Sequence, residues 1–292
     1  MRVRSCQSLS KATNDSRQCL REWPMSFATA KRIEVSELQR FASLITEVPE
    51  SEIAADVTLG GRLLLAQQQP LAISYAPFEH IQHGARIAIV GITPGAQQAR
   101  NALGELRRQL IAGADHGTAL GAAKTFASFS GPMRANLVAM LDYIGLAGWM
   151  GLGSTAELWT SWSDLVHFTS AIRYPVFING ENYGGSPSMI TTPLLRQALL
   201  QYLAEEVSAL PNAVWVPLGP KVSEGLALLV KRGLLSADRL LVGLPHPSGA
   251  NAERISYFLG RKDRASLSAK TSPDTIDAHR AALFDLIGNL PR

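Results

Sequence analysis

Short apolar runs alternate along this chain with longer segments in which apolar residues recur at helical spacing. The apolar runs predict buried strands at residues 86–90, 165–172, 213–218 and 240–244. The helical segments occupy residues 36–45 (with Ser36 as N-cap), 54–68, 96–110, 133–144, 193–210, 221–231 and 274–287. Because strands that alternate with helices favour parallel pairing, we expect an α/β fold: three layers, α/β/α, around a central, mainly parallel sheet.

Glycine-rich and polar segments separate these elements. Residues 113–121 are predicted to be a polar loop, and residues 179–187 a loop rich in Gly, Asn and Pro. Residues 1–25, rich in Ser, Arg and Gln, predict a flexible N-terminal tail. No Pro-rich linker divides the remainder of the chain, so residues 26–292 are expected to form a single domain.

Composition narrows the class of protein. A hydrophobic fraction of 46% and a charged fraction of 18% are typical of a globular chain with a sizeable core. No apolar run approaches the roughly 18–20 residues of a membrane helix, and no apolar signal segment stands near Met1. Cys6 and Cys19 are too few for an iron–sulfur cluster or an all-cysteine zinc site. We therefore expect a cytoplasmic protein with reduced thiols, whose net charge of +4 permits a nucleic-acid partner without establishing one.

Two short motifs closely follow predicted strands. The first motif is Gly91-Ile92-Thr93-Pro94-Gly95, and the second motif, 155 residues later, is His246-Pro247-Ser248-Gly249-Ala250-Asn251. Loops at the carboxyl ends of parallel strands converge on one crevice, where α/β sheets place their sites. Alone, each motif is compatible with an ordinary turn, because Gly and Pro are common turn residues.

In this order and at this separation, the motifs resemble the two active-site motifs of the uracil-DNA glycosylase superfamily. The resemblance spans roughly residues 87–261 and includes Phe129-Ser130-Gly131 and the segment 167–175. It implies a uracil-DNA glycosylase-like fold. The implied activity is that of a DNA glycosylase, which flips a base out of the duplex and hydrolyses its N-glycosidic bond to leave an abasic site.

The resemblance also implies roles for individual residues. His246 would donate a hydrogen bond to the base carbonyl, and Ser248 would bind a DNA phosphate. The base pocket would be formed by Ile92, Pro94, Gly95, Phe129 and Ser170. The DNA-binding loop would consist of Ser248, Gly249, Ala250 and Asn251, followed by the basic residues Arg254, Arg261, Lys262 and Arg264.

Thr93 departs from the family, whose members carry Asp, Asn or Glu there to position or activate water. A threonine hydroxyl is a poor general base at neutral pH. Three alternatives remain open: leaving-group stabilisation with Thr93 as a weaker water activator, a base from elsewhere, or no catalysis. The candidates from elsewhere are Asp115, His116, Glu181 and Asn182, ahead of Asp142 and Asp164.

Ser170 is the second departure, since relatives generally place Asn there to read the uracil edge. A serine relaxes that discrimination and opens volume near the base. The hypothesis is a modified, bulky pyrimidine as target. The resemblance suggests glucosylated hydroxymethylcytosine in phage DNA, and hence a role in anti-phage defence.

The expected enzyme is monofunctional, because neither motif contains a lysine for a Schiff-base step. The mechanism needs no metal and no redox cofactor, and the expected partner is DNA, with no membrane and a monomeric state. Alternatives are a uracil or mismatch repair glycosylase and a catalytically silent protein that binds modified bases. A nucleotide-binding α/β protein is disfavoured, because the chain has no Gly-rich dinucleotide motif after the first strand and no P-loop.

Overall fold

Most of the predicted elements form, and several unpredicted ones join them. A computed structural model describes residues 36–59, 61–128 and 132–291. The helices are α1 (Glu37–Glu47), α2 (Glu50–Leu59), α3 (Ala96–Ile111), α4 (His116–Ala127), α5 (Pro132–Tyr143), α6 (Leu146–Met150), α7 (Pro193–Ala198), α8 (Ala204–Ala209), α9 (Pro220–Lys231), α10 (Ala252–Phe258) and α11 (Pro273–Asn289). The strands are β1 (Leu64–Gln68), β2 (Leu71–Ser74), β3 (Ile87–Gly91), β4 (Val166–Ser170), β5 (Val176–Ile178), β6 (Glu181–Asn182) and β7 (Val214–Pro217). A π-helical turn, Leu199–Leu203, joins α7 to α8.

A parallel sheet with the order β4-β3-β7 lies at the centre. Beyond β7, Leu240 extends the sheet through a single parallel bridge to Trp215. The chain passes from β3 to β4 on one side and then crosses back to β7 on the other. Such a reversal of direction opens a crevice at the carboxyl ends of the strands, which is where the loops after β3 and β7 diverge.

Alternate residues of β3 face two separate cores. Ile87 and Ile89 pack in a core with buried residues of α5, α6, α10 and α11. Ala88 and Val90 pack in a second core with α1, α3, α4, α9 and the segment 193–210. Helices therefore cover both faces of the parallel sheet, which confirms the predicted α/β class.

A second, antiparallel sheet with the order β1-β2-β5-β6 was not predicted. The predicted helix over 54–68 is wrong in its second half, because α2 ends at Leu59 and the chain continues into β1. The predicted loop at 179–187 instead begins in a β5–β6 hairpin. Asn179 and Gly180 form its turn with φ values of 51° and 84°, the backbone conformation that tight two-residue hairpins need.

Two further predictions are corrected. The polar loop at 113–121 is wrong, because α4 begins at His116 with Asp115 as its N-cap. The predicted strand 240–244 is reduced to the bridge at Leu240. Gly243 ends the extended run with a φ of 126°, and a Cβ atom there would lie 2.7 Å from the Cβ of His279 on α11.

Some predictions fall outside the described residues: the tail at 1–25, the domain start at 26, Cys6 and Cys19, and Phe129-Ser130-Gly131. The described residues belong to one compact unit, Ser36–Arg292. None of the helices in this part of the chain combines the length and the apolar character needed to cross a bilayer.

Candidate active site

The pairing of β3 with β4 places Ser170 beside the first motif. Gly91 and Ser170 are partners in the parallel ladder. The pairing continues past both strands, because the carbonyl oxygen of Ile92 accepts a hydrogen bond from the amide of Ile172 at 3.0 Å. Pro94 and Ser170 line one cleft, together with Arg173 and neighbouring side chains. Two predicted pocket residues are therefore brought together.

This cleft is narrow. Its volume is about 20 Å³, which is room for about one water molecule. A pyrimidine ring does not fit, so binding a flipped base requires the cleft to widen. Ile92, another predicted pocket residue, lies against the segment that carries Gly185. A Cβ atom on that glycine would be 3.7 Å from Cδ1 of Ile92.

Thr93 anchors the first motif to the segment before β5. Its Oγ1 donates to the carbonyl oxygen of Tyr174 at 2.8 Å and accepts from the amide of Val176 at 3.2 Å. The hydroxyl proton is thus bonded to a backbone carbonyl. In this arrangement the hydroxyl of Thr93 is not free to activate a water molecule. The catalytic role of Thr93 stays a prediction.

Asn182 reaches the first motif from the β5–β6 hairpin. Its Oδ1 accepts a hydrogen bond from the amide of Ala96 at 2.8 Å, at the first turn of α3. Gly95 precedes that turn, and a Cβ atom on it would lie 3.7 Å from the same Oδ1. The structure therefore places a side-chain amide beside the loop that lacks one in its own sequence. Glu181 and Asn182 are both exposed, and Glu181 makes no hydrogen bond to the first motif within the described residues.

Two of the other candidates for a base, Asp115 and Asp142, bind other groups. Asp115 accepts hydrogen bonds from the amide of Thr118 at 3.1 Å and from its hydroxyl at 2.6 Å. These bonds lower the pKa of Asp115, as expected for an N-cap carboxylate. Asp115 has no hydrogen bond or ion pair to either motif within the described part of the chain. Asp142 accepts hydrogen bonds from the hydroxyls of Ser154 and Thr155.

His246, in the second motif, is held as a neutral imidazole. Its Nδ1 accepts a hydrogen bond from the amide of Ser248 at 3.3 Å, which assigns the ring proton to Nε2. Burial lowers the pKa of His246, so the ring stays uncharged at neutral pH. Among the residues that the structure describes, no group bonds to Nε2. The arrangement leaves one N–H free to donate to a ligand.

Gly219, which follows β7, supports this histidine. It has a φ of 94°, and a Cβ atom there would lie 3.6 Å from the Cβ of His246. The conformation favours glycine, because other residues are strained at such φ values. The second motif is therefore packed directly on the loop at the carboxyl end of β7.

Side chains on both sides hold the rest of the second motif. Asn136 of α5 donates from Nδ2 to the carbonyl oxygen of Pro247 at 2.9 Å. Asn251 donates from Nδ2 to Oγ of Ser248 at 3.2 Å, and Arg254 donates to Oδ1 of Asn251 at 2.7 Å. Gly249 and Ala250 are exposed. Sequence reasoning missed the anchoring amide of α5, although a polar side chain within an apolar helical pattern was a usable signal.

The basic residues after the second motif are partly neutralised. Lys262 pairs with Glu253 at 2.8 Å, and Arg264 pairs with Asp274. Arg254 and Arg261 are exposed, and neither forms an ion pair with a described residue. The positive charge available to a polyanion at this edge is therefore smaller than the sequence suggests.

The two motifs lie at the same edge of the parallel sheet. Neighbouring strands lie about 4.8 Å apart, so Ser170 and the segment that leads to His246 stand roughly 14 Å apart across the sheet. Both groups lie at the carboxyl edge of a parallel sheet, the edge where open α/β sheets place their ligand sites.

Comparison with known proteins gives the family. The chain is 33% identical over 243 residues to the uncharacterized protein YoxB of Bacillus subtilis (strain 168), which covers 82% of this chain and 94% of that protein. The chain belongs to the same family as YoxB. No protein-family model matches it, and no solved structure matches it at a significant level.

Proposed function

We propose that this protein is a monofunctional DNA glycosylase that flips a base and hydrolyses its N-glycosidic bond. The observation that carries the proposal is the state of His246: a neutral ring, fixed by the amide of Ser248, with Nε2–H free at the carboxyl edge of the sheet. Cleavage of the bond puts negative charge on the departing base. A preorganised donor aimed at the base oxygen stabilises that charge, and loss of one such donor costs about 10²–10³ in rate.

The contacts around Asn182 support a role in positioning water, not in removing its proton. The amide stands at the start of α3, next to Gly95, with Oδ1 bound to the backbone and Nδ2 available to orient a water molecule. In this mechanism Asn182 positions the nucleophile, while leaving-group stabilisation by His246 supplies most of the rate enhancement. Thr93 holds the loop in place.

The proposed target is a modified pyrimidine, of which glucosylated hydroxymethylcytosine in phage DNA is the leading example. Ser170 offers one hydroxyl beside the cleft, in place of an amide that would read the uracil edge. A short side chain at this position rejects larger bases less strongly. The cleft must widen for any base. We expect the substituents on the pyrimidine ring to determine which base is released.

A second candidate function is binding of modified bases without catalysis. It is favoured by the hydroxyl of Thr93, which is bonded to backbone groups on both its donor and acceptor sides, and by the lack of a carboxylate in the first motif. A silent binding protein would keep salt-dependent affinity for DNA and release no base.

The test is base release. The full-length protein is incubated with DNA from ordinary and hypermodified phages, and with duplexes that contain uracil, and any released base is identified by mass spectrometry. His246→Ala should reduce release at least a hundredfold, whereas His83→Ala, which changes an exposed histidine before β3, should not. Unchanged release by the His246 variant refutes the catalytic role.

The same assay separates the remaining alternatives. DNA binding without release by the unaltered protein supports the silent binding protein. Faster release of uracil than of any modified cytosine overturns the target assignment and supports a repair glycosylase.

A further inference from the structure

A second polar cavity lies at the outer edge of β4 and is separated from the cleft described above by Phe168, which lines both. Its volume is about 190 Å³, and it is enclosed by α4, the segment 80–82 and the first half of β4. That volume is several times the roughly 30 Å³ that one water molecule occupies in the liquid. His167 lines it and precedes Ser170 by three residues, so the cavity stands about 10 Å from the carboxyl end of the strand.

Lys124 is the charged group of this cavity. Its side chain is 4% exposed, and Nζ donates one hydrogen bond, to the carbonyl oxygen of His80 at 2.6 Å. An ammonium group has three donors. The ammonium group of Lys124 has no further hydrogen bond and no ion pair within the described residues. Burial of a charge without a partner is unfavourable, and it lowers the pKa of Lys124 to about 8.

Of the nearby acids, Glu206 is bonded to other side chains, and burial raises the pKa of Glu79. Glu206 accepts a hydrogen bond from Nε of Arg173 at 2.7 Å and is 3.1 Å from Nε2 of His167. Nδ1 of His167 accepts from a backbone amide, so both ring nitrogens are used. Glu79 forms no ion pair with a described residue, and burial raises its pKa to about 7. Lys124 therefore has charges in its neighbourhood but no direct counterion.

The other polar side chains of the cavity outside β4 are neutral, and all but His80, whose ring N–H is already bonded to Gln82, can donate to a ligand. They are the amide of Gln82, the hydroxyls of Thr125 and Ser163, and the ring of His80. Oε1 of Gln82 lies 3.4 Å from Nε2 of His80, which leaves the amide hydrogens of Gln82 for another acceptor. No Asp or Glu is among the described residues that line this cavity. A set of donors around one ammonium is complementary to an oxyanion.

We propose that this cavity binds a small oxyanion of the phosphate or carboxylate class, with Lys124 as its counterion and Gln82, Thr125 and Ser163 as neutral donors. The ligand supplies the negative charge that the fold does not place beside Lys124. The site is independent of base release, because His246, Ser170 and Asn182 take no part in it.

The test is calorimetric titration of the full-length protein at pH 7 with sodium phosphate, sodium acetate and sodium chloride at matched ionic strength. Phosphate or acetate should bind where chloride does not, and the better of the two identifies a phosphoryl or a carboxylate ligand. Lys124→Met should weaken binding at least tenfold. Lys231→Met, which removes an exposed lysine at the end of α9, should leave it unchanged.

Two results would overturn the proposal: binding of neither oxyanion beyond chloride, or equal affinity of the Lys124 variant and the unaltered protein. If that variant does not fold, Gln82→Leu and Ser163→Ala decide the question. Severalfold weaker binding in either supports the site, and unchanged affinity in both refutes it. Base release is measured in a separate assay. Absence of oxyanion binding would therefore not refute the glycosylase proposal, and absence of base release would not refute the oxyanion site.

Discussion

Replacing Arg173 with Met tests the buried ion pair that holds the wall of the cleft. Arg173 lines the cleft beside Ser170, and its Nε lies 2.7 Å from Oε1 of Glu206, whose side chain is fully buried. The charge of Glu206 would then keep one direct hydrogen-bond partner, the ring of His167, whose pKa burial lowers to about 4, with the charge of Lys124 nearby but not bonded to it. Removing one partner of a buried pair typically costs about 3–5 kcal/mol, because the other charge stays buried.

The control is Glu205→Gln, which removes the second acid near the same guanidinium. Glu205 lies 2.9 Å from Nη2 of Arg173 but is 58% exposed. Exposed ion pairs contribute about 0–1 kcal/mol, so this variant should lose less than about 1 kcal/mol. Urea denaturation at pH 7, followed by circular dichroism, measures both free energies of unfolding.

The pH dependence gives a second check. Burial raises the pKa of Glu206, but the charges of Lys124 and Arg173 and the bond with His167 outweigh it and hold that pKa well below its usual range. Stability from Glu206 is therefore present above about pH 4.5 and is lost in acid, as the folded carboxylate becomes protonated. The Met variant has a higher pKa at Glu206, so its deficit should shrink from pH 7 to pH 4. A deficit below about 1 kcal/mol at pH 7, or one that grows in acid, would refute this reasoning.

Three further predictions concern the two motifs and the second cavity. Thr93→Val should lower the free energy of unfolding by about 1–3 kcal/mol, because it leaves two backbone groups without partners. Thr93→Ser keeps the hydroxyl and should not lower it. A Ser variant that keeps its stability but loses base release would contradict the anchoring role. Asn182→Ala should cost about 0.5–2 kcal/mol as the loss of a helix cap and reduce base release, measured by mass spectrometry, whereas full release would remove Asn182 from the mechanism. The folded pKa of Lys124, about 8, is below its ordinary value of 10.5. Between these two pH values the unfolded chain binds more protons than the folded protein, so the free energy of unfolding should rise with pH. Lys124→Met should abolish that rise in urea titrations, and a rise that persists in the variant would show that another group causes it.

Local signals in the sequence predicted much of the fold. Ser36 and Gln39 form the capping box that begins α1, with the amide of Gln39 3.3 Å from Oγ of Ser36. Such a contact joins residues three apart, so the sequence contains both partners. The strands β3 and β7 were predictable for a similar reason: strands buried on both faces read as continuous apolar runs.

The errors arose where two signals competed. Around Asp115, glycines at 113, 117 and 121 favour a loop, whereas the cap to Thr118 favours a helix, and the cap prevails. Asn179-Gly180 is a strong hairpin signal, but β6 is too short to show alternation. The predicted strand at 240–244 fails because the position of α11 against Gly243 is a tertiary contact that no local pattern contains.

The two motifs of the candidate site were predictable from the sequence, but the side chains that hold them in place were not. The sequence identifies His246 and Ser170 as neighbours of strand ends, and the ladder places the latter beside Gly91. The contact of Asn182 with Ala96 spans 86 residues, and that of Asn136 with Pro247 spans 111. Long-range contacts of this kind depend on the packing of whole elements, which local patterns do not determine.

The single bridge between Trp215 and Leu240 has a kinetic consequence. Strands paired over several residues open together with the sheet, whereas this segment has one bridge and is otherwise held by the packing of side chains such as Leu241 and Leu244, so it opens at lower free energy than the paired strands. The polypeptide from Leu240 to His246 is therefore expected to exchange its amide hydrogens faster than β3 or β7. Movement of His246 toward a ligand would bend this segment against the packing of Leu241 and Leu244, while the paired strands keep their register.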